Sequence, residues 1–260
     1  MFWYGLALKM AMTAAMVVTA SVAAERSGPF VGALIAVLPT AAGAAYIILA
    51  LEHPASFIAA SAVGSVAIGA AVSIFCATYT ILAQRRGLIV SLGAALLLWF
   101  AVAAVLRAIE WTPATAVALN AVVFAAAIPL TRRYRTTGLP TQTKRTVFDI
   151  PLRALAVAIV VAVVTTASFR IGSFASGMFA VFPIVLGSFV ATMHPRVGGK
   201  PVASVLAHAQ APLIGLSLGF LALHYLAEPL GSWWAMLAGL LVSVIWNCAL
   251  WAVNACRSAA

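Results

Sequence analysis

The sequence predicts an all-α integral membrane protein of about nine transmembrane helices, forming two inverted-topology four-helix repeats joined by an extra helix. Three observations predict it. Of 260 residues 65% are apolar and only 8% charged, about a third of the charged share of an ordinary soluble domain, and the mean hydropathy is +1.12. The chain divides at its charges, Pro and Gly into nine apolar runs, each near the roughly 20 residues that cross about 30 Å of hydrocarbon. A pattern in the first half returns in the second. A soluble enzyme, a nucleic-acid binder and a secreted disulfide scaffold are excluded, because such a composition leaves too little polar surface for water.

The runs are 5–24, 29–51, 56–83, 88–108, 113–131, 151–169, 173–193, 202–227 and 231–255. The first four form a repeat over 5–108, 109–131 is a linking helix, and the last four form a second repeat over 151–256. Between them lies 132–150, RRYRTTGLPTQTKRTVFDI, a basic cytoplasmic loop suited to anionic lipid. Alternate connections fall on opposite faces. One face receives Arg26, Arg85, Arg86, Arg132, Arg133, Arg135, Lys144, Arg145, Arg153, Arg196, Lys200 and Arg257, and the other only Lys9, Arg107 and Arg170. The positive-inside rule then places the N-terminus in the periplasm and the C-terminus in the cytoplasm of a bacterial inner membrane. It also accounts for the net charge of +10 without nucleic acid. Cleavage of 5–24 as a signal peptide, suggested by the small residues of TASVAAE, would reverse this orientation. Trp3, Tyr4, Trp111, Trp233 and Trp234 stand at span ends, as an interfacial belt does.

The repeat pairs Lys9 with Arg153, Arg26-Ser-Gly28-Pro-Phe30 with Arg170-Ile-Gly172-Ser-Phe174, and Ala36-Val-Leu-Pro39 with Ala180-Val-Phe-Pro183, at a constant offset of 144. His53-Pro54 pairs with His194-Pro195 at 141, and Ile68-Gly69 and Tyr79 pair with Ile214-Gly215 and Tyr225 at 146. An odd number of crossings separates the halves, so they enter the membrane from opposite sides, as in many transporters. Residues 5–108 resemble the GlpM-like proteins, small four-span bacterial membrane proteins. The likeness lies in a Lys early in the first span and in Gly32-Ala-Leu-Ile-Ala-Val-Leu-Pro39-Thr40 followed by Tyr46 and Glu52. The resemblance implies two such units fused in inverted orientation, and it supplies architecture more than chemistry. The second half departs from the pattern, with Ile184 for the Thr and Met193 for Glu52.

Two mid-span prolines, Pro39 with Thr40 beside it and Pro183, mark either a midplane substrate site or packing kinks, since each removes a backbone hydrogen bond. Lys9 and Arg153 either attract an anionic group or snorkel to headgroups. His208 and Gln210, where the third span has Ala62 and Gly64, break the symmetry as substrate-selective groups would. Glu52, His53 and His194 are proton-coupling candidates, since His titrates near neutral pH, although His-Pro is also a helix terminator. Asn247 reads as an interhelical hydrogen bond and His224 as interfacial. Five acidic residues, no two placed as an acid–base pair, and the absence of HExxH, CxxC, Walker A and GxSxG argue against an enzyme. Neither a metal nor a cofactor is expected.

The expected function is secondary transport or facilitated passage of a small anionic or zwitterionic solute or lipid headgroup by alternating access at a midplane site. The alternative is a non-transporting scaffold or accessory subunit of an envelope enzyme complex. The lipid bilayer is the expected partner, and a second copy of the chain is a further candidate.

Overall fold

The computed structural model describes residues 40–135 and 149–259 and the isolated positions 11, 15 and 19; side chains of Thr40, residues 149–153 and residues 257–259 are outside that description. Lys9, Arg26, Pro39, all of the span 5–24 but those three positions, the first part of 29–51 and the loop from 136 to 148 therefore lie outside the described residues. Within them the chain is all helical: α1 (Thr40–Glu52), α2 (Ala55–Leu82), α3 (Leu88–Arg107), α4 (Pro113–Arg132), α5 (Asp149–Ala180), α6 (Ile184–Val197), α7 (Gly199–Leu230) and α8 (Ser232–Ala259).

Six of these, α2, α3, α4, α5, α7 and α8, are long and apolar enough to cross a membrane. The seventh expected span, 173–193, is not one rod. Gly172 at φ 81°, ψ 172° interrupts α5 and leaves arms of 149–171 and 173–180. That backbone conformation is essentially restricted to glycine, because a Cβ there crowds the carbonyl of the preceding residue. A second break at Pro183 separates the shorter arm from α6. The apolar run was legible, and its division was not.

Ala55 and Leu88 open α2 and α3; Gly199 and Ser232, each 144 positions later, open α7 and α8. The packing follows the same correspondence. α3 lies against α2 and α6, while α8 lies against α7 and α1. α2 and α7 form the most extensive pair, and α4 touches both. Contacts from Ala59 to His224, from Ser73 to Gln210 and from Thr80 to Ala203 show that α2 and α7 run antiparallel.

Lipid tails are as apolar as Leu, so close van der Waals packing and interhelical hydrogen bonds must hold the bundle together. The most apolar stretch of α2 is 83% buried, against 22% for α3 and 17% for α8, so α2 is the core and the latter two face lipid. Small residues permit this. Gly64 abuts the Phe174 carbonyl, and Gly177 abuts the Ser61 carbonyl. Larger side chains fill the remaining core, with Trp99 fully buried and edge-on to Phe182 at 4.9 Å between centroids.

Candidate functional site

Between the short arm of α5 and α6 the backbone leaves the helix for Val181, Phe182 and Pro183. Pro183 has φ −75° and ψ 46°, and no side chain caps the N-terminus of α6. Ile184 N donates to the Phe182 carbonyl at 2.7 Å and Gly187 N to the Pro183 carbonyl at 2.8 Å. Proline has no N–H to continue the ladder, and its ring displaces the preceding carbonyl, so the helix must restart. Pro39, its counterpart in the first half, lies outside the described residues, and α1 is described from Thr40. Arg153 lies in the first turns of α5.

Gln210 is fully buried. Ser73 Oγ donates to its Oε1 at 2.6 Å, and its Nε2 donates to the Ser73 carbonyl at 3.0 Å. The residue predicted to select substrate thus spends its amide fastening α7 to α2. His208, two residues earlier, is half-buried and donates from Nδ1 to the Ser204 carbonyl at 2.8 Å. Arg135 joins it from the chain just beyond α4. Its Nε donates to the Ala207 carbonyl at 3.2 Å, and it is close enough for its charge to act on the His208 ring. Its Nη2 is buried with no hydrogen-bond partner among the described residues. Burial first, then the Arg132 charge, holds the guanidinium below its usual pKa, although a guanidinium stays charged in proteins. Sequence reasoning placed Arg135 among loop cations facing lipid. Nothing in the run Arg132-Arg133-Tyr134-Arg135 distinguishes the one that turns back onto α7.

The proton-coupling candidates are not brought together. His53 follows α1, with Nε2 2.8 Å from Ser168 Oγ and its ring stacked on Phe57 at 3.8 Å. Ser168 Oγ itself donates to the Thr165 carbonyl, so it accepts from His53. Burial lowers the His53 pKa, and the exposed Glu52 opposes that shift. His194 shares a hydrogen bond between its Nδ1 and the Tyr79 hydroxyl at 2.6 Å. His53 sits beside the start of α2 and Tyr79 near its end, about 35 Å apart at 1.5 Å per residue. The His-Pro pairs also differ: His53 lies beyond α1, whereas α6 runs through His194 and Pro195 to Val197. His224, toward the end of α7, donates from Nδ1 to the carbonyl of Ala59 in the first turns of α2 at 2.8 Å. Asn247 is buried.

A separate cavity of about 400 Å³ lies between α1, α7 and α8, bounded by Tyr46, Phe220 and Trp233. The Tyr46 hydroxyl is engaged by Ser65 Oγ at 2.7 Å, so this cavity is apolar in character. No protein-family model, curated protein or solved structure matches the chain.

Proposed function

We propose that the protein is a secondary transporter or facilitator of the bacterial inner membrane, built of two inverted GlpM-like four-helix units that rock about a midplane site. The observation that carries this reading is the broken helix at Pro183, a position that stands 144 after Pro39 in the sequence. Paired broken helices in corresponding positions are the arrangement in which half-helix ends meet a substrate. The antiparallel course of α2 and α7, which correspond in the repeat, supports the inverted topology. Seven described cations, Arg85, Arg86, Arg132, Arg133, Arg135, Arg196 and Lys200, flank the ends where α2, α4 and α6 finish and α7 starts. This distribution favours a cytoplasmic assignment for that end.

The cargo is a small anionic or zwitterionic solute or a lipid headgroup. Arg135 beside His208 favours negative charge, since a partly buried guanidinium with an unused Nη2 needs a counter-charge. Thr40, Pro183, Lys9 and Arg153 remain in the substrate-binding assignment. Glu52 and His53 would respond to protons at one end and His194 at the other. Gln210 leaves the assignment as a direct ligand because Ser73 occupies it.

The second reading, a scaffold or accessory subunit docking an acidic partner or anionic lipid through 132–150, draws on one observation. The Ser73–Gln210 clamp and the glycine contacts of α2 make a tightly packed core. Thiol accessibility in oriented vesicles separates the two. With Cys76, Cys248 and Cys256 replaced, single cysteines beside Pro183 and His208 should react with an impermeant reagent from both faces. Protection from both faces would favour the scaffold.

A further inference from the structure

The helix that belongs to neither repeat, α4, carries two polar side chains into the bundle: Thr131, which donates back to the Ala127 carbonyl of its own helix, and Asn120. Asn120 is 4% exposed. Its Nδ2 donates to the Val66 carbonyl at 2.6 Å and to the Ala116 carbonyl at 3.0 Å. These two acceptors settle the orientation of the amide, because a flipped side chain would set its oxygen against both carbonyls. Oδ1 is left buried with no hydrogen-bond partner among the described residues.

A Cβ placed on Gly69 of α2 would lie 3.0 Å from that Oδ1 and 2.8 Å from Ser217 Oγ of α7. An amide oxygen and a hydroxyl therefore converge where α2 has no side chain. Both residues line a cavity of about 290 Å³ between α2, α4 and α7. Its other walls include Phe124, Ile128, Ile214 and Leu221, with no charged residue among the described ones. Val117 and Leu218, also in the lining, are exposed on the lipid-facing surface. Asn120 lies seven residues inside the start of α4, about 10 Å along the helix, and so within the hydrocarbon.

A buried acceptor without a donor is costly, and at this depth bulk water cannot supply one. A water held by two side-chain oxygens would fill little of a cavity whose other walls are apolar. A charged headgroup has no counter-charge here. We propose that this cavity binds a neutral hydroxyl-bearing lipophile entering from the bilayer. Its O–H donates to Asn120 Oδ1, its oxygen accepts from the Ser217 hydroxyl, and its apolar body lies against α4 and α7. This site is separate from the Arg135–His208 end and does not rest on the transport reading.

The full-length protein in lipid nanodiscs is photolabelled with a diazirine-bearing hexadecanol, and labelled peptides are mapped. Label is expected on α4 and α7, with hexadecanol competing about tenfold better than its methyl ether, which accepts but cannot donate a hydrogen bond. Asn120→Leu, Ser217→Ala and Gly69→Ala should each reduce that preference, the last by crowding the two oxygens. Equal competition by alcohol and ether, label spread evenly over α3, α5 and α8, or unchanged preference in the variants would overturn the proposal. If Asn120→Leu does not fold, because it also releases the Val66 carbonyl, Ser217→Ala and Gly69→Ala decide the question.

Discussion

Gln210 and Ser73 exchange two hydrogen bonds in the middle of the bundle. Replacing Gln210 by Leu should loosen the α2–α7 pair, and a double-mutant cycle with Ser73→Ala should give a coupling of about 0.6 kcal/mol and no more than about 1.7. Denaturation of the purified protein measures it, and a coupling near zero would return Gln210 to the substrate site. His53 makes a pH prediction. Its folded pKa is lowered from 6.5, so the folded state resists its protonation while the unfolded state takes up the proton. The contribution to stability is full above about pH 6.5 and is lost as pH falls from there through the folded pKa. Thermal stability should therefore decline on acidification, and His53→Asn should flatten part of that decline.

Element ends depend on glycine unequally in the two halves. Gly231 joins α7 to α8 at φ 81° and ψ 156°, whereas Gly87, 144 positions earlier, precedes α3 at φ −70°. Gly231→Ala should cost about 1–3 kcal/mol from backbone strain. Gly87→Ala, with nothing within 4 Å of an added Cβ, should leave the thermal midpoint nearly unchanged. Gly177→Leu would force the short arm of α5 from the Ser61 backbone, a loss of about 1–3 kcal/mol or more by overpacking. Equal tolerance at Gly87 and Gly231 would remove the distinction between the two connections.

For the whole molecule, orientation follows from the placement of charge. Single cysteines at 87 and 198 should label from the cytoplasmic face, and cysteines at 110 and 231 from the periplasmic face. Labelling of 87 and 198 from opposite faces would overturn the proposed inverted arrangement, because α2 and α7 would then no longer run antiparallel across the bilayer. The reading of apolar runs located α2, α3, α4, α7 and α8 to within a few residues. It failed to divide 173–193 into two helices, since a Pro inside an apolar run looks the same whether the chain bends or breaks.

Local chemistry determined the membrane class, the register of the long helices and the 144-residue correspondence, all of which reside in stretches of contiguous residues. Rotation of each helix about its axis was decided only by the tertiary structure. In a soluble protein an amphipathic stripe shows which face is buried. A helix apolar all round carries no such stripe, so sequence could not show that Gln210 meets Ser73, that Arg135 returns to Ala207, or that His53 and His194 stand at opposite ends of α2. Nor could it show that Asn120 directs its amide nitrogen at two carbonyls and leaves its oxygen without a donor. Those outcomes depend on which neighbour each helix presents, and that neighbour is set by chain far away in sequence.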